Sequence, residues 1–244
     1  MKILKFQDFL NEKVEYHREL CPKIWTNQQM EPEIRTKLLA IANDFWESLR
    51  LDIELYDIQL TGSLANYNWT SSSDLDVHLI IDFGQINQDQ DLVRKALDGQ
   101  RFIWNQRHSL QLKGHDVECY AQHKDEQHTA SGLFSLLKNE WLITPTWKEP
   151  KVDEKDVNEK VRVIKSEYET ISKSLKRADS KEAQELYDYL GRFRKKINND
   201  RKEGLAKDGE FSVENLVFKE LRRDGTIEKI INAQHDAYKK IYEE

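Results

Sequence analysis

The stretch Ser73-Asp74-Leu75-Asp76-Val77-His78-Leu79-Ile80-Ile81 constrains this chain more than any other. Polar and apolar residues alternate there, which is the period of a β-strand. Successive strand side chains point to opposite faces. Asp74, Asp76 and His78 therefore share one face, and Leu75, Val77 and Leu79 point the other way, into a core. The second half, Leu79-Ile80-Ile81, reads as buried on both faces, so the strand needs neighbours and a covering layer. Two carboxylates two residues apart on one face suit oxygen coordination of hard divalent cations. Upstream, an apolar run with Ile58 and Leu60 stops at Gly62-Ser63. That reads as a strand closing in a tight turn, whose backbone N–H groups can face a phosphate.

The rest of the chain arranges itself around this strand. Phe6 to about Val14 is expected to form a short amphipathic helix. Pro32 opens a stronger one carrying Ile34, Leu38, Phe45 and Leu49. Leu51 to Leu60 reads as extended, and a short helix follows the Gly62-Ser63 turn over about Leu64 to Asn68. Thr70 to Ser73 is a polar loop, and the acidic strand runs from Leu75 to Phe83. A helix is expected over about Gln88 to Gln106 and a third strand over Asp116 to Ala121. Ser131 to Trp141, with Leu133, Phe134, Leu136 and Leu137, reads as helical. Pro145 and Pro150 break the pattern, which divides the chain into residues 1–148 and 149–244.

Past that break, Val161, Ile164, Tyr168, Ile171 and Leu175 recur at helical spacing. Asp179-Ser180-Lys181-Glu182 resembles a capping box opening a helix with Leu186, Leu190, Phe193 and Ile197. Gly204 and Gly209 bracket an expected loop, Ser212 can cap a further helix, and Ile227 to Tyr242 forms the last. The expected class is α+β: a small mixed sheet flanked by helices, followed by an all-helical C-terminal module.

Composition narrows the field. The chain has 244 residues, 38% hydrophobic and 10% aromatic, enough for a core in one large domain or two small ones. Charged residues make up 34%, with only 4 Pro and 9 Gly, which favours a helix-rich soluble protein. The net charge of −6 gives no global basic field for long duplex nucleic acid. Cys21 and Cys119 offer neither a disulfide framework nor metal-ligand spacing, which suits a reducing, cytoplasmic setting. The first residues lack the apolar core of a signal peptide. No apolar run approaches the roughly 20 residues of a membrane span.

Gly62-Ser63, a ten-residue spacer, then Asp74-Leu75-Asp76-Val77 resembles the signature of the polymerase β nucleotidyltransferase superfamily. Ser73 before Asp74 also fits that pattern. The N-terminal segment and residues 134–141 look like uncharacterised phage-encoded members. The resemblance implies metal-dependent transfer of a nucleoside monophosphate from a nucleoside triphosphate such as ATP to a hydroxyl, with pyrophosphate released. It implies two Mg2+ or Mn2+ ions held by Asp74, Asp76 and a third carboxylate on a later strand. Asp116 and Glu118 both qualify by face. The superfamily pattern of an acid between apolar residues matches Val117-Glu118-Cys119, so it selects Glu118. Gly62 and Ser63 would meet the triphosphate and Asn66 would line the site. Acceptors across the superfamily include RNA ends, proteins and small molecules, and a tRNA-sized acceptor is compatible with the charge.

Several other features have plainer readings beside functional ones. His78 shares the acidic face but suits a partly buried, hydrogen-bonded histidine. Tyr67 and Trp69 can stack on a base or simply pack. His108, His115, His123 and His128 surround the third strand at irregular spacing and form no zinc set. Arg192, Arg194, Lys195, Lys196, Arg201 and Lys202 form a basic stretch that reads as a solvated helix face or as a phosphate-binding one. No Ser-His-Asp set and no Gly-x-x-x-x-Gly-Lys loop occurs. The rival functions are a degenerate nucleotide-binding module, an interaction protein working through its helical tail, and a toxin or defence-linked transferase.

Overall fold

The computed structural model describes residues 17–126, 130–149 and 152–243. The helix expected over Phe6 to Val14 lies outside the described residues. The chain divides into two compact units, Met1–Glu149 and Pro150–Glu244. The class is α+β, with a mixed sheet in the first unit and helices in the second.

The first unit opens with a small hairpin, β1 (Trp25–Thr26) and β2 (Gln29–Met30). Helix α1 (Pro32–Leu49) follows, with Pro at its first turn, where a missing N–H costs nothing. It buries Ile34, Leu38, Ala42 and Phe45 along one stripe and stops at Arg50, which takes the left-handed conformation. The sheet strands are β3 (Leu55–Thr61), β4 (Leu75–Ile81), β5 (Gln111–Leu112), β6 (His115–His123), β7 (Leu133–Ser135) and β8 (Glu140–Ile143). They lie in the order β5-β6-β4-β3-β7-β8. Among these described pairs only β4–β6 is parallel. A parallel pair needs a crossover, and α2 (Gln90–His108) supplies it, capped by the Asp89 carboxylate accepting from the Leu92 N–H at 3.0 Å. Asn105 of α2 brackets the free edge of β6, donating to the Cys119 carbonyl and accepting from the Cys119 N–H. Those bonds satisfy the outward backbone groups of Cys119 on an edge strand.

The core lies on one face of this sheet. Ile58, Leu60, Leu75, Val77, Leu79 and Cys119 are fully buried there with the α1 stripe and Trp104 of α2. Truncating Leu79 to Ala would cost about 2–5 kcal/mol, the transfer term plus the cavity.

The second unit contains α3 (Glu154–Arg177), α4 (Ser180–Asp208), α5 (Val213–Arg223) and α6 (Thr226–Tyr242). Its core joins Ile171, Leu175, Leu190, Phe193, Ile197 and Ile230. Asp179 and Glu182 form the expected capping box at the start of α4, and Ser212 caps α5.

Three expectations are corrected. Residues 131–141 are not a helix: β7 and β8 form an antiparallel pair added to β3. Their connection is held by Arg35 of α1, which donates to the Leu136 and Leu137 carbonyls at 2.7 and 3.0 Å. The helix after Gly62 is a single 3-10 turn, Ser63–Ala65. Gly204 does not begin a loop, because α4 runs through it to Asp208. A Cβ there would lie 2.8 Å from Ser212 Oγ, so glycine permits the start of α5 to approach α4. Among the described residues no helix is long and apolar enough to cross a membrane.

Candidate functional site

The sheet face opposite the core is polar, and register explains its order. Thr61 of β3 pairs with Asp76 of β4, which pairs with Glu118 of β6. One pleat further along, Gln59 pairs with His78 and His78 with Tyr120, and Ser135 of β7 lies opposite Gln59. Residues directly opposite each other project to the same side. Asp76 and Glu118 are therefore neighbours on one face, each half-buried. Asp116 shares that face nearer the sheet end, where it is exposed and accepts from Gln111 Nε2 at 2.8 Å. Register thus sets Glu118, not Asp116, beside Asp76.

Gly62 closes the row. Its φ of 77° and ψ of −161° fall in a region that essentially only glycine adopts. A Cβ there would lie 2.1 Å from Asp76 Oδ2. The Asp76 carboxylate consequently rests against the bare Gly62 backbone, and the bend and the acidic strand form one feature. The bend is fastened from outside: Trp25 Nε1 donates to the Leu64 carbonyl at 2.7 Å. Gly132 also lies so close to the Ala65 carbonyl that a Cβ would sit 1.9 Å from its oxygen.

Ser63 donates its hydroxyl to Ser73 Oγ at 2.8 Å, tying the bend to the residue before Asp74. Asp74 itself precedes β4 and is 9% exposed. Asn66 is buried and caps the 3-10 turn, and its Oδ1 accepts from the Tyr67 N–H at 2.7 Å. Among the described residues, no three His, Cys, Asp or Glu side chains gather as a ready metal-binding group. The structure brings Gly62, Asp76 and Glu118 together and sets Asp74 just before the strand that carries Asp76.

Sequence reasoning missed the groups around Glu118. Tyr120 donates its hydroxyl to Glu118 Oε2. Burial, the Asp76 charge and that bond to Glu118 all push the Tyr120 hydroxyl up, so it stays protonated and remains a donor. The Arg101 guanidinium lies 4.6 Å from the Tyr120 ring centroid. His78 stacks on the same ring at 4.9 Å and bonds Gln122 Oε1 through Nδ1 at 2.5 Å. Alternation on β6 was enough to place Tyr120 on the face of Glu118, because the two are two residues apart. Sequence reasoning also missed Asp57, which is 6% exposed and accepts from Gln59 Nε2 and Ser135 Oγ at 3.0 and 2.7 Å.

The basic stretch of α4 splits by role. Arg194 donates to Gln234 Oε1, and Arg201 donates to Asn215 Oδ1 while lying over the Phe218 ring. Arg192, Lys195, Lys196 and Lys202 are exposed. Comparisons with protein-family models, with curated proteins and with solved structures found no match.

Proposed function

We propose that the chain is a metal-dependent nucleotidyltransferase of the polymerase β type, moving a nucleoside monophosphate from a nucleoside triphosphate to a hydroxyl acceptor. The observation that carries this reading is the row Thr61–Asp76–Glu118 closed by Gly62, whose backbone lies against the Asp76 carboxylate. In such a transfer the acceptor oxygen bonds to the α-phosphorus. The bond from that phosphorus to the oxygen bridging to the β-phosphate breaks, and pyrophosphate leaves. By chemistry the donors suit Mg2+ or Mn2+: Asp74, Asp76 and Glu118 carry hard oxygen ligands and would hold the ions, although the three do not gather as a ready metal-binding group. Bound there, such ions neutralise charge on the attacking and leaving oxygens. The chain's own part is to hold the triphosphate at the Gly62-Ser63 backbone, where no Cβ stands in the way, and to present its carboxylates from adjacent strands.

RNA ends, tRNA, proteins and small molecules are the acceptor classes this reading admits. The exposed Arg192, Lys195, Lys196 and Lys202 offer a surface for a polyanionic one. Two free, buried thiols suit a reducing cytoplasm. A test is incubation with each α-labelled triphosphate, Mg2+ or Mn2+, and pools of tRNA, total RNA, protein or small molecules. Transfer of label that disappears in Asp76→Asn supports the reading, and no label from any triphosphate with either metal sinks it.

The bond between Tyr120 and Glu118 favours a second reading, nucleotide binding without transfer, because it occupies one oxygen of the expected third ligand. Under that reading the protein binds triphosphate and incorporates no label.

A further inference from the structure

The junction just before Asp74 is more tightly held than a loop requires. Ser73 is 8% exposed, and its polar atoms are engaged from three directions. Its N–H donates to the Thr70 carbonyl at 3.1 Å. Its Oγ accepts from Ser63 and from the Thr70 N–H at 2.8 and 2.9 Å. Its carbonyl oxygen accepts from His115 Nδ1 at 2.7 Å. His115 is the first residue of β6 and is 2% exposed. Lys113 and Gly114, both with positive φ, make the two-residue turn that sets it there.

The hydrogen-bond chemistry fixes which ring nitrogen donates to Ser73. A carbonyl oxygen only accepts, so Nδ1 carries a proton. The other nitrogen, Nε2, lies 3.8 Å from Cys21 Sγ, and burial pushes the Cys21 thiol up, so the thiol can donate to it. The imidazole thus links Cys21 to the backbone just before the acidic strand.

We infer that His115 is the positioning residue of the acidic site: through the Ser73 carbonyl it fixes where the chain leaves the loop and presents Asp74 beside Asp76. The inference rests on the reading of Asp74, Asp76 and Glu118 as oxygen ligands for a divalent cation. Loss of an outer partner of a metal ligand typically costs about 10–100-fold in metal affinity. The same magnitude is expected here, because Asp74 then samples several positions instead of one.

The experiment measures Mn2+ affinity of the full chain by electron paramagnetic resonance, with thermal unfolding recorded beside it. His115→Leu keeps the bulk and removes the donor, and Mn2+ affinity falls at least about tenfold. His115→Asn sets an amide nitrogen the same number of bonds from the backbone as Nδ1 and retains affinity within about threefold. His115→Gln moves the donor out by one bond and loses affinity. The Asn and Gln pair decides the question if the Leu variant does not fold. Cys21→Ala removes the thiol and leaves the bond to Ser73, so it lowers the unfolding temperature without changing Mn2+ affinity. Failure of Asn to rescue, or an equal loss of affinity in Cys21→Ala, makes the role merely structural and overturns the proposal. Absence of Mn2+ binding in the unsubstituted protein overturns the acidic-site reading and the proposal together, and that outcome is distinct because it needs no variant.

Discussion

The two units bury polar groups for different reasons. In the helical unit the buried polar residues among those described are Ser212, Asn215 and Thr226. All three lie at or within one turn of a helix start. Ser212 Oγ accepts from the Asn215 N–H, the Asn215 amide donates to the Glu210 carbonyl, and Thr226 bonds Asp224. They satisfy backbone and chain-end needs that every helix has. In the sheet unit the buried polar residues among those described are Asp57, Gln59, Thr61, Asn66, Asn68, Ser73, Asp74, His115, Gln122 and Ser135. Most lie on the polar sheet face or in the loop feeding it. A buried polar group costs about 1–3 kcal/mol when unsatisfied. Among the described residues, buried polar groups of the sheet unit therefore concentrate on one surface, while those of the helical unit serve helix starts.

The sharpest way to break that contrast is to remove one polar group from each unit. Under the proposed transfer, Asp76→Asn should reduce label transfer by about 10²–10³-fold, because it removes a carboxylate charge while keeping its shape. Ser212→Ala should leave transfer unchanged and cost about 1 kcal/mol of stability, the worth of a helix cap. Rates measured beside thermal unfolding check both. Equal rate losses in the two variants would mean that the helical unit takes part in the chemistry.

A second test compares glycines with nearly the same φ, 77° at Gly62 and 73° at Gly225. At Gly225 a Cβ meets open space, and ψ of 11° is the ordinary left-handed region. Gly225→Ala should therefore cost only about 1–2 kcal/mol. At Gly62 the Cβ would strike the Asp76 carboxylate, and the backbone angles are closed to alanine. Gly62→Ala should cost about 1–3 kcal/mol of strain, and nucleotide binding should weaken as Asp76 is displaced. If Gly62→Ala binds nucleotide as the unsubstituted protein does, the bend is a plain turn. Smaller again is Asp179→Ala, which removes a capping box in the helical unit. It should lower stability by about 1 kcal/mol and leave transfer untouched, a result readable by urea titration.

The comparison also shows what can be read from a sequence. Capping and amphipathic period are local, so the Asp179 box and the Ser212 cap were legible before any coordinates. Alternation likewise placed Asp76 and Glu118 on faces, though only register across β4 and β6 makes them neighbours. Residues 131–141 misled because a short apolar run fits helix and strand equally well. The decision came from outside the segment, from pairing with β3 and from Arg35 holding the turn carbonyls. The contacts of Tyr120 with Arg101 and of His115 with Ser73 cross 19 and 42 residues of chain (120 − 101 and 115 − 73). No local pattern announces such contacts.

The smallest effect separates charge from geometry in the two units. The Lys124 ammonium, 2.8 Å from Asp82, and the Gly84 N–H hold the Asp82 carboxyl below its ordinary range. In the helical unit Lys160 does the same to Glu214 at 2.7 Å. A lowered folded pKa means that the unfolded chain binds more protons in the intervening window, so stability rises with pH there. The contribution is therefore complete above the ordinary carboxylate pKa of about 4 and disappears as pH falls through the lower folded value. Both pairs are partly exposed, and such pairs contribute little. Asp82→Asn and Glu214→Gln should each lower the unfolding temperature slightly at about pH 7 and match the unsubstituted protein at about pH 2. Asn keeps an oxygen that accepts from the Gly84 N–H, so a further deficit in Asp82→Ala that persists in acid would be the worth of that cap, a geometric need of the loop after β4. A deficit in Glu214→Gln that vanishes there would leave the helical unit with an ordinary surface ion pair.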